Sequence, residues 1–134
     1  MSIGQSSGKF LGTDEASIAG GPDYADHGTE FTSQDLKVQD SEIIFVQCKV
    51  KGGHGSNSGN CIFKFVASAD GVNFTTEYFL QLRVPMSGTN AVVKGWHVNV
   101  TGIHTIRLQQ IENAETEATY TALLTNARWG KSFF

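Results

Sequence analysis

Residues 41–74, SEIIFVQCKVKGGHGSNSGNCIFKFVASADGVNF, decide the fold class. In 41–50 the side chains of Ile44, Val46, Cys48 and Val50 fall on one face and those of Ile43, Phe45, Gln47 and Lys49 on the other. In 60–68, Cys61, Phe63, Phe65 and Ala67 alternate with Ile62, Lys64, Val66 and Ser68. A period of two is the signature of an extended strand, whose successive side chains point to opposite sides. Asp70-Gly71 then supplies the positive-φ pair favoured in a two-residue hairpin, so a tight reversal is expected before Val72, Asn73 and Phe74.

The same reading extends downstream. Residues 77–84 place Tyr78, Leu80, Leu82 and Val84 on one side and stop at Pro85, which cannot donate to a central ladder. Residues 87–90 make a turn. Strands are expected at 92–100 and 103–111, joined at Thr101-Gly102, and at 118–125 after a polar link. Six or seven strands without a helix predict an all-β fold, an antiparallel β-sandwich of jelly-roll or immunoglobulin-like type.

Upstream, residues 1–40 contain six glycines, many small polar residues and no regular apolar period. They are expected to form an extended N-terminal arm, with residues 41–134 as the sandwich domain. At about 3.3 Å per residue such an arm spans up to about 130 Å, enough to cross a neighbouring subunit. Phe10, Leu11, Ile18, Tyr24, Phe31 and Leu36 are spaced along it like anchors. The alternative is an arm folded back on its own domain, adding an edge strand near residues 36–38. At the other end, Trp129, Phe133 and Phe134 are expected to dock either on the domain or on a neighbour, because terminal phenylalanines in water are unfavourable.

Charge and composition exclude several functions. A net charge of −3 and a pI near 5.7, with ten scattered Lys and Arg, argue against a phosphate-binding surface and therefore against nucleic acid as a partner. No apolar run reaches the roughly 18 residues needed to cross a bilayer, and the N-terminus lacks the basic and apolar regions of a signal peptide, so neither membrane insertion nor export is expected. Cys48 and Cys61 would face each other if the intervening residues folded as a symmetric hairpin. In a reducing compartment they are expected instead to be buried free thiols.

Chemistry-bearing motifs are absent from the sequence. His27, His54, His97 and His104 show no HxxxH or HExxH spacing, there is no CxxC and no GxSxG, and no enzyme activity, metal or other cofactor is expected. His97 and His104 face each other only if Thr101-Gly102 closes a hairpin. The glycine-rich stretch 52–59 matches no nucleotide-binding pattern and precedes a strand, so it reads as a mobile hairpin tip. The acceptor-like triplets at Asn73 and Asn99 carry no weight without export. Tyr78, Trp96, Tyr120 and Trp129 are the candidates for a sugar-stacking platform, against an ordinary role in core or rim.

The run Ala67-Ser68-Ala69-Asp70-Gly71-Val72-Asn73-Phe74, followed by Gly102-Ile103-His104-Thr105-Ile106-Arg107-Leu108 and a last strand ending near Trp129, resembles a pattern of small β-sandwich virion proteins of tailed bacteriophages. The resemblance covers residues 65–129. Its Ser-x-Asp-Gly-x-Asn-Phe hairpin is also similar to hairpins of discoidin-like and carbohydrate-binding sandwiches. The resemblance implies a structural component of a particle: a capsid decoration (cement) protein or a tail component, located in a virion assembled in the host cytoplasm. Its partners would be the major capsid protein or other virion subunits, and its own copies in a homo-oligomer, a trimer being favoured. The alternative is a carbohydrate-binding or receptor-binding module.

Overall fold

The computed structural model describes residues 4–12, 15–20, 23–117 and 119–133. Ten strands follow one another among them: β1 (Gly4–Lys9), β2 (Ala16–Ile18), β3 (Asp23–Asp26), β4 (Leu36–Lys37), β5 (Ile43–Gly52), β6 (Asn60–Ser68), β7 (Leu80–Pro85), β8 (Ala91–Asn99), β9 (Thr105–Asn113) and β10 (Ala122–Phe133). They form two five-stranded antiparallel sheets. In the front sheet the order is β1-β10-β5-β8, with β2 also on β10; in the back sheet it is β3-β9-β6-β7, with β4 also on β9. The chain changes sheet after β2, β4, β5, β7, β8 and β9, the wiring of a jelly-roll sandwich, and no helix occurs among the described residues. The expected all-β antiparallel sandwich is therefore the fold.

Alternation builds the core as the sequence predicts. Ile44, Val46, Cys48 and Val50 of β5 point inward against Cys61, Phe63 and Phe65 of β6, with Val84 of β7 and Ile106, Leu108 and Ile111 of β9 filling the layer. Cys48 and Cys61 are buried and free. Burial pushes the Cys61 thiol up to about 12 and raises that of Cys48 further, so both act as small apolar side chains. The hairpin that would have set them opposite each other does not form, because β5 and β6 lie in different sheets.

The division at residue 40 is corrected by the structure. Residues of the expected arm supply the strands at one edge of each sheet: β1 and β2 pair in turn with β10, and β3 and β4 pair in turn with β9. Phe10, Leu11, Ile18, Phe31 and Leu36 are buried in the same core as β5 and β6. The edge strand expected near residues 36–38 is present as β4. Periodicity failed here because β2 and β4 are only three and two residues long, too brief to show a repeat, and the six residues of β1, GQSSGK, include no large apolar side chain. Their wide spacing lets a few large side chains drop into the core between polar connections.

Three connections also differ from expectation. The reversal after β6 is wider than a two-residue hairpin: Ser68 bridges Phe74, and Asp70 occupies the loop between them as an acceptor. Thr101-Gly102 does not close a hairpin, since it carries the chain from β8 in the front sheet to β9 in the back sheet. The glycine-rich stretch 52–59 is likewise a crossover rather than a hairpin tip, and it is anchored. Its Asn57 is buried, His54 stacks on Tyr120 with ring centroids 4.3 Å apart, and Gly53 donates its N–H to the Thr121 carbonyl at 2.9 Å.

Candidate functional site

Register arranges the outward side chains of the front sheet in rows across its strands. One row runs Ser7 (β1), Gly130 (β10), Phe45 (β5) and His97 (β8). The next runs Lys9, Arg128, Gln47 and Gly95. Phe45 is 39% exposed and Ile43, two residues before it on the same face, 57%. Their apolar surface is the opposite of what a solvent-facing alternation normally presents.

Two glycines shape the space around Phe45. A Cβ on Gly95 would collide with the far end of the Phe45 ring, so that ring leans over β8. It also meets His97 edge to face, with centroids 5.2 Å apart and planes at 61°. The ring thus leans away from β10, where Gly130 leaves the floor bare. Gly130 does not have a positive φ, and a Cβ there would come no closer than 4.0 Å to the Ser6 carbonyl oxygen. Neither backbone strain nor crowding requires this glycine. In a strand interior a glycine costs stability, and it recurs where a ligand or another backbone approaches closely.

The result is a trough made of two adjoining hollows of about 530 Å³ and 380 Å³. Ser6, Ser7, Ile43, Phe45, His97 and Lys131 line the first. The second continues past Gln47 and Arg128. A hydroxyl, an amide, an imidazole and a guanidinium surround one exposed aromatic ring, so a ligand here meets both an apolar face and a rim of donors and acceptors. The Lys131 ammonium is already committed: it donates to the Lys37 carbonyl at 2.9 Å and to Asp40 at 3.0 Å. This hydrogen bond to Lys131 holds the Asp40 carboxyl below its ordinary range.

The basic residues, expected to be scattered, are sorted by the fold. Lys9, Lys49, Lys51, Lys94, Arg128 and Lys131 all lie on front-sheet strands, and those strands hold none of the thirteen Asp and Glu. Linear spacing hid this because the contributing strands are distant in sequence.

The residues expected to bind partners are dispersed. Phe10, Leu11, Ile18, Phe31 and Leu36 are spent in the chain's own core. Tyr24, on β3, is 45% exposed, and its ring and that of Tyr78 each lie 5.4 Å from the Lys64 ammonium, which pairs with Glu112 at 2.8 Å. Trp129 is half-buried against the core, and a Cβ on Gly8 would come within 2.6 Å of its ring. Phe134 and the side chain of Phe133 lie outside the described residues. Of the candidate sugar platform, Trp96 and Trp129 flank Val46 in register and both pack against the core, whereas Tyr120 stacks on His54 and Tyr78 lies beside Lys64, so the four do not form one exposed row. His97 and His104 are also apart, the latter hydrogen-bonded to the Thr105 hydroxyl at 2.6 Å. Among the described residues no three His, Cys, Asp or Glu cluster as metal ligands. Phe45, His97 and Gly130 were missed as a site. The signal was present as two apolar residues, Ile43 and Phe45, on the outward face of a strand, and a glycine inside another.

No protein-family model matches the chain, and no curated protein matches it significantly. Solved structures resemble it in fold. The CBM36-1 domain of a multidomain xylanase from the hindgut metagenome of Trinervitermes trinervoides superimposes with a TM-score of 0.53 at 11% identity, covering 96% of this chain and 98% of that one. The C-terminal CBM6 of LamC, a laminarinase from Zobellia galactanivorans, gives 0.49 at 11% identity over 96% and 100% of the two chains. Infectious bursal disease virus, Gx strain, gives 0.48 at 5% identity, with 98% of this chain covering 32% of that one.

Proposed function

We propose that this chain is a non-catalytic recognition module that takes up carbohydrate in the trough of its front sheet. The observation that carries the reading is the pairing of exposed Phe45 with bare Gly130, which sets an aromatic wall beside an open floor within reach of Ser7, Gln47, His97 and Arg128. A pyranose ring has apolar C–H faces and hydroxyl edges, and an aromatic face ringed by hydrogen-bonding groups complements both. The likeness to the CBM36-1 domain concerns fold; carbohydrate enters through the trough.

A glycan array probed with the wild-type chain, Phe45→Ala and Gly130→Val tests the proposal. A Cβ at position 130 meets nothing nearer than 4.0 Å and valine suits a strand, so this variant should fold and still fill the trough. Wild type should retain a defined subset of glycans, and both variants should lose it while keeping the wild-type circular dichroism spectrum. Undiminished retention by Gly130→Val would move the site elsewhere.

A second reading keeps the chain on a virus particle, as a subunit that decorates and stabilises a phage capsid by bridging its subunits. It is favoured by the nine-residue β8, which pairs with β5 on one side and presents an open edge on the other among the described residues. Such an edge can accept a strand from a neighbour. Purified chain added to phage shells lacking it should sediment with them and raise the temperature at which they open. Chain left in the supernatant would sink this reading.

A further inference from the structure

We infer that the ligand of the front-sheet trough is an anionic glycan, one bearing carboxylate or sulfate groups, in preference to a neutral one; this rests on the trough reading above. The argument is charge segregation. The five front-sheet strands carry six Lys and Arg and no Asp or Glu, while the remainder of the chain, with four basic and thirteen acidic residues, has a net charge of −9. A chain with an overall charge of −3 thus carries one wholly cationic sheet.

The geometry places part of that charge at the trough. Arg128 stands opposite Gln47 in register, one row beyond Gly130 and Phe45, and Lys49 and Lys51 continue the outward face of β5. None of the three has an acidic partner among the described residues. From Ile43 to Lys51 the face measures roughly 27 Å at about 3.4 Å per residue, room for several sugar rings. A chain of sugars lying along β5 would stack on Phe45 at one end and meet Arg128, Lys49 and Lys51 towards the other. The surrounding acidic surface would repel a polyanion everywhere else, which fixes the face it meets.

Lys131 adds no free charge, being held by Asp40. The His97 imidazole lies against Phe45. The inference therefore stands on Arg128, Lys49 and Lys51.

Affinity electrophoresis and biolayer interferometry on polygalacturonate, dextran sulfate, neutral dextran and a mixed-sequence single-stranded oligonucleotide test it, with wild type, Lys49→Gln/Arg128→Gln and Gly130→Val, each in 50 mM and 300 mM salt. Wild type should bind polygalacturonate or dextran sulfate and not neutral dextran, and which of the two is preferred identifies carboxylate or sulfate. Binding should weaken severalfold in the higher salt, because exposed charge pairs are screened beyond a Debye length of about 10 Å or less. The double variant should lose about tenfold and Gly130→Val should lose binding altogether. Salt-insensitive binding to neutral dextran that Gly130→Val abolishes would overturn the anionic preference and leave the trough standing. Polyanion binding untouched by Gly130→Val would overturn the trough itself. Equal binding of the oligonucleotide would overturn glycan as the class of ligand.

Discussion

Phe10 and Phe65 meet edge to face across the core, their ring centroids 5.1 Å apart and their planes at 68°. Both are fully buried, one coming from the polar N-terminal stretch and the other from β6 inside the back sheet. The backbone of Phe10 is fixed as well: its N–H donates to the Ala127 carbonyl at 2.9 Å, and its carbonyl accepts the Gln34 N–H at 2.6 Å. Phe10→Ala should therefore cost about 3–5 kcal/mol, the range for truncating a buried phenylalanine. Tyr24→Ala, at a residue 45% exposed, should cost below about 1 kcal/mol. Urea denaturation of the two variants checks the contrast. Removing residues 1–40 should leave a chain that fails to fold, since it strips the partners from one side of β9 and of β10 and takes Phe10, Leu11, Ile18, Phe31 and Leu36 out of the core.

Glu115 is the second structural anchor. Only 4% exposed, its carboxylate accepts the N–H of Gly59 at 2.6 Å and of Ser58 at 3.0 Å, and the side-chain amide of Asn57 at 3.4 Å. These contacts hold the end of the glycine-rich crossover against the polar link after β9. Glu115→Ala removes the acceptor from all three donors and should cost about 2–4 kcal/mol, with Glu115→Gln costing about half as much because it retains a carbonyl oxygen. Chemical denaturation gives the totals. Hydrogen exchange at Ser58 and Gly59 should accelerate selectively in the alanine variant, and unchanged protection there would contradict the assignment.

What was legible in the sequence follows strand length and contact distance. The long strands β5 and β6 announce themselves because nine or ten alternating residues expose a period of two, and their inward faces are the ones observed. β2 and β4 are too short to show any period, so Ile18 and Leu36 read as isolated anchors although they are core residues. Local chemistry marks a tight turn at 87–90, and there the structure has one: Ser87 and Asn90 bridge, with Gly88 at a φ of 57° between them. At Thr101-Gly102 the same chemistry serves a change of sheet, a choice made by tertiary packing. The trough depends on register alone, since Gly130 and Phe45 lie on different strands and become neighbours only once β10 pairs with β5.

Asp70 gives the wide reversal after β6 a pH dependence. Its carboxylate accepts the backbone N–H groups of Asn73 and Val72, each at 2.8 Å, then the Asn73 amide at 2.8 Å and the Ser68 hydroxyl at 2.9 Å. These bonds, the one from the Asn73 backbone foremost, hold its carboxyl well below the usual carboxylate range. A carboxyl depressed in the folded state contributes stability that is present above its unfolded value of about 3.9 and is lost as pH falls towards its folded value. Wild type should therefore melt at a higher temperature than Asp70→Asn at neutral pH, and the gap should narrow steadily below about pH 4. Differential scanning calorimetry of both proteins across that interval checks the sign. A gap independent of pH would mean that the charge plays no part.

Gly95 and Gly130 divide the shaping of the trough, and substituting them separates their roles. A Cβ on Gly130 enters open space, whereas one on Gly95 strikes the Phe45 ring. Phe45 lies on a solvent face and is 39% exposed, so Gly95→Ala should be accommodated by rotating the ring away from β8, towards the space above Gly130. The cost should be about 1 kcal/mol, the range for an off-rotamer side chain together with lost packing on His97. Stability should change little and glycan retention should fall, because the ring itself would then occupy the floor. Adding Phe45→Ala to Gly95→Ala should relieve the stability cost without restoring retention. If Gly95→Ala instead destabilises by more than about 3 kcal/mol, as overpacking of a rigid interior does, the ring is a fixed part of the sheet and does not turn onto the floor.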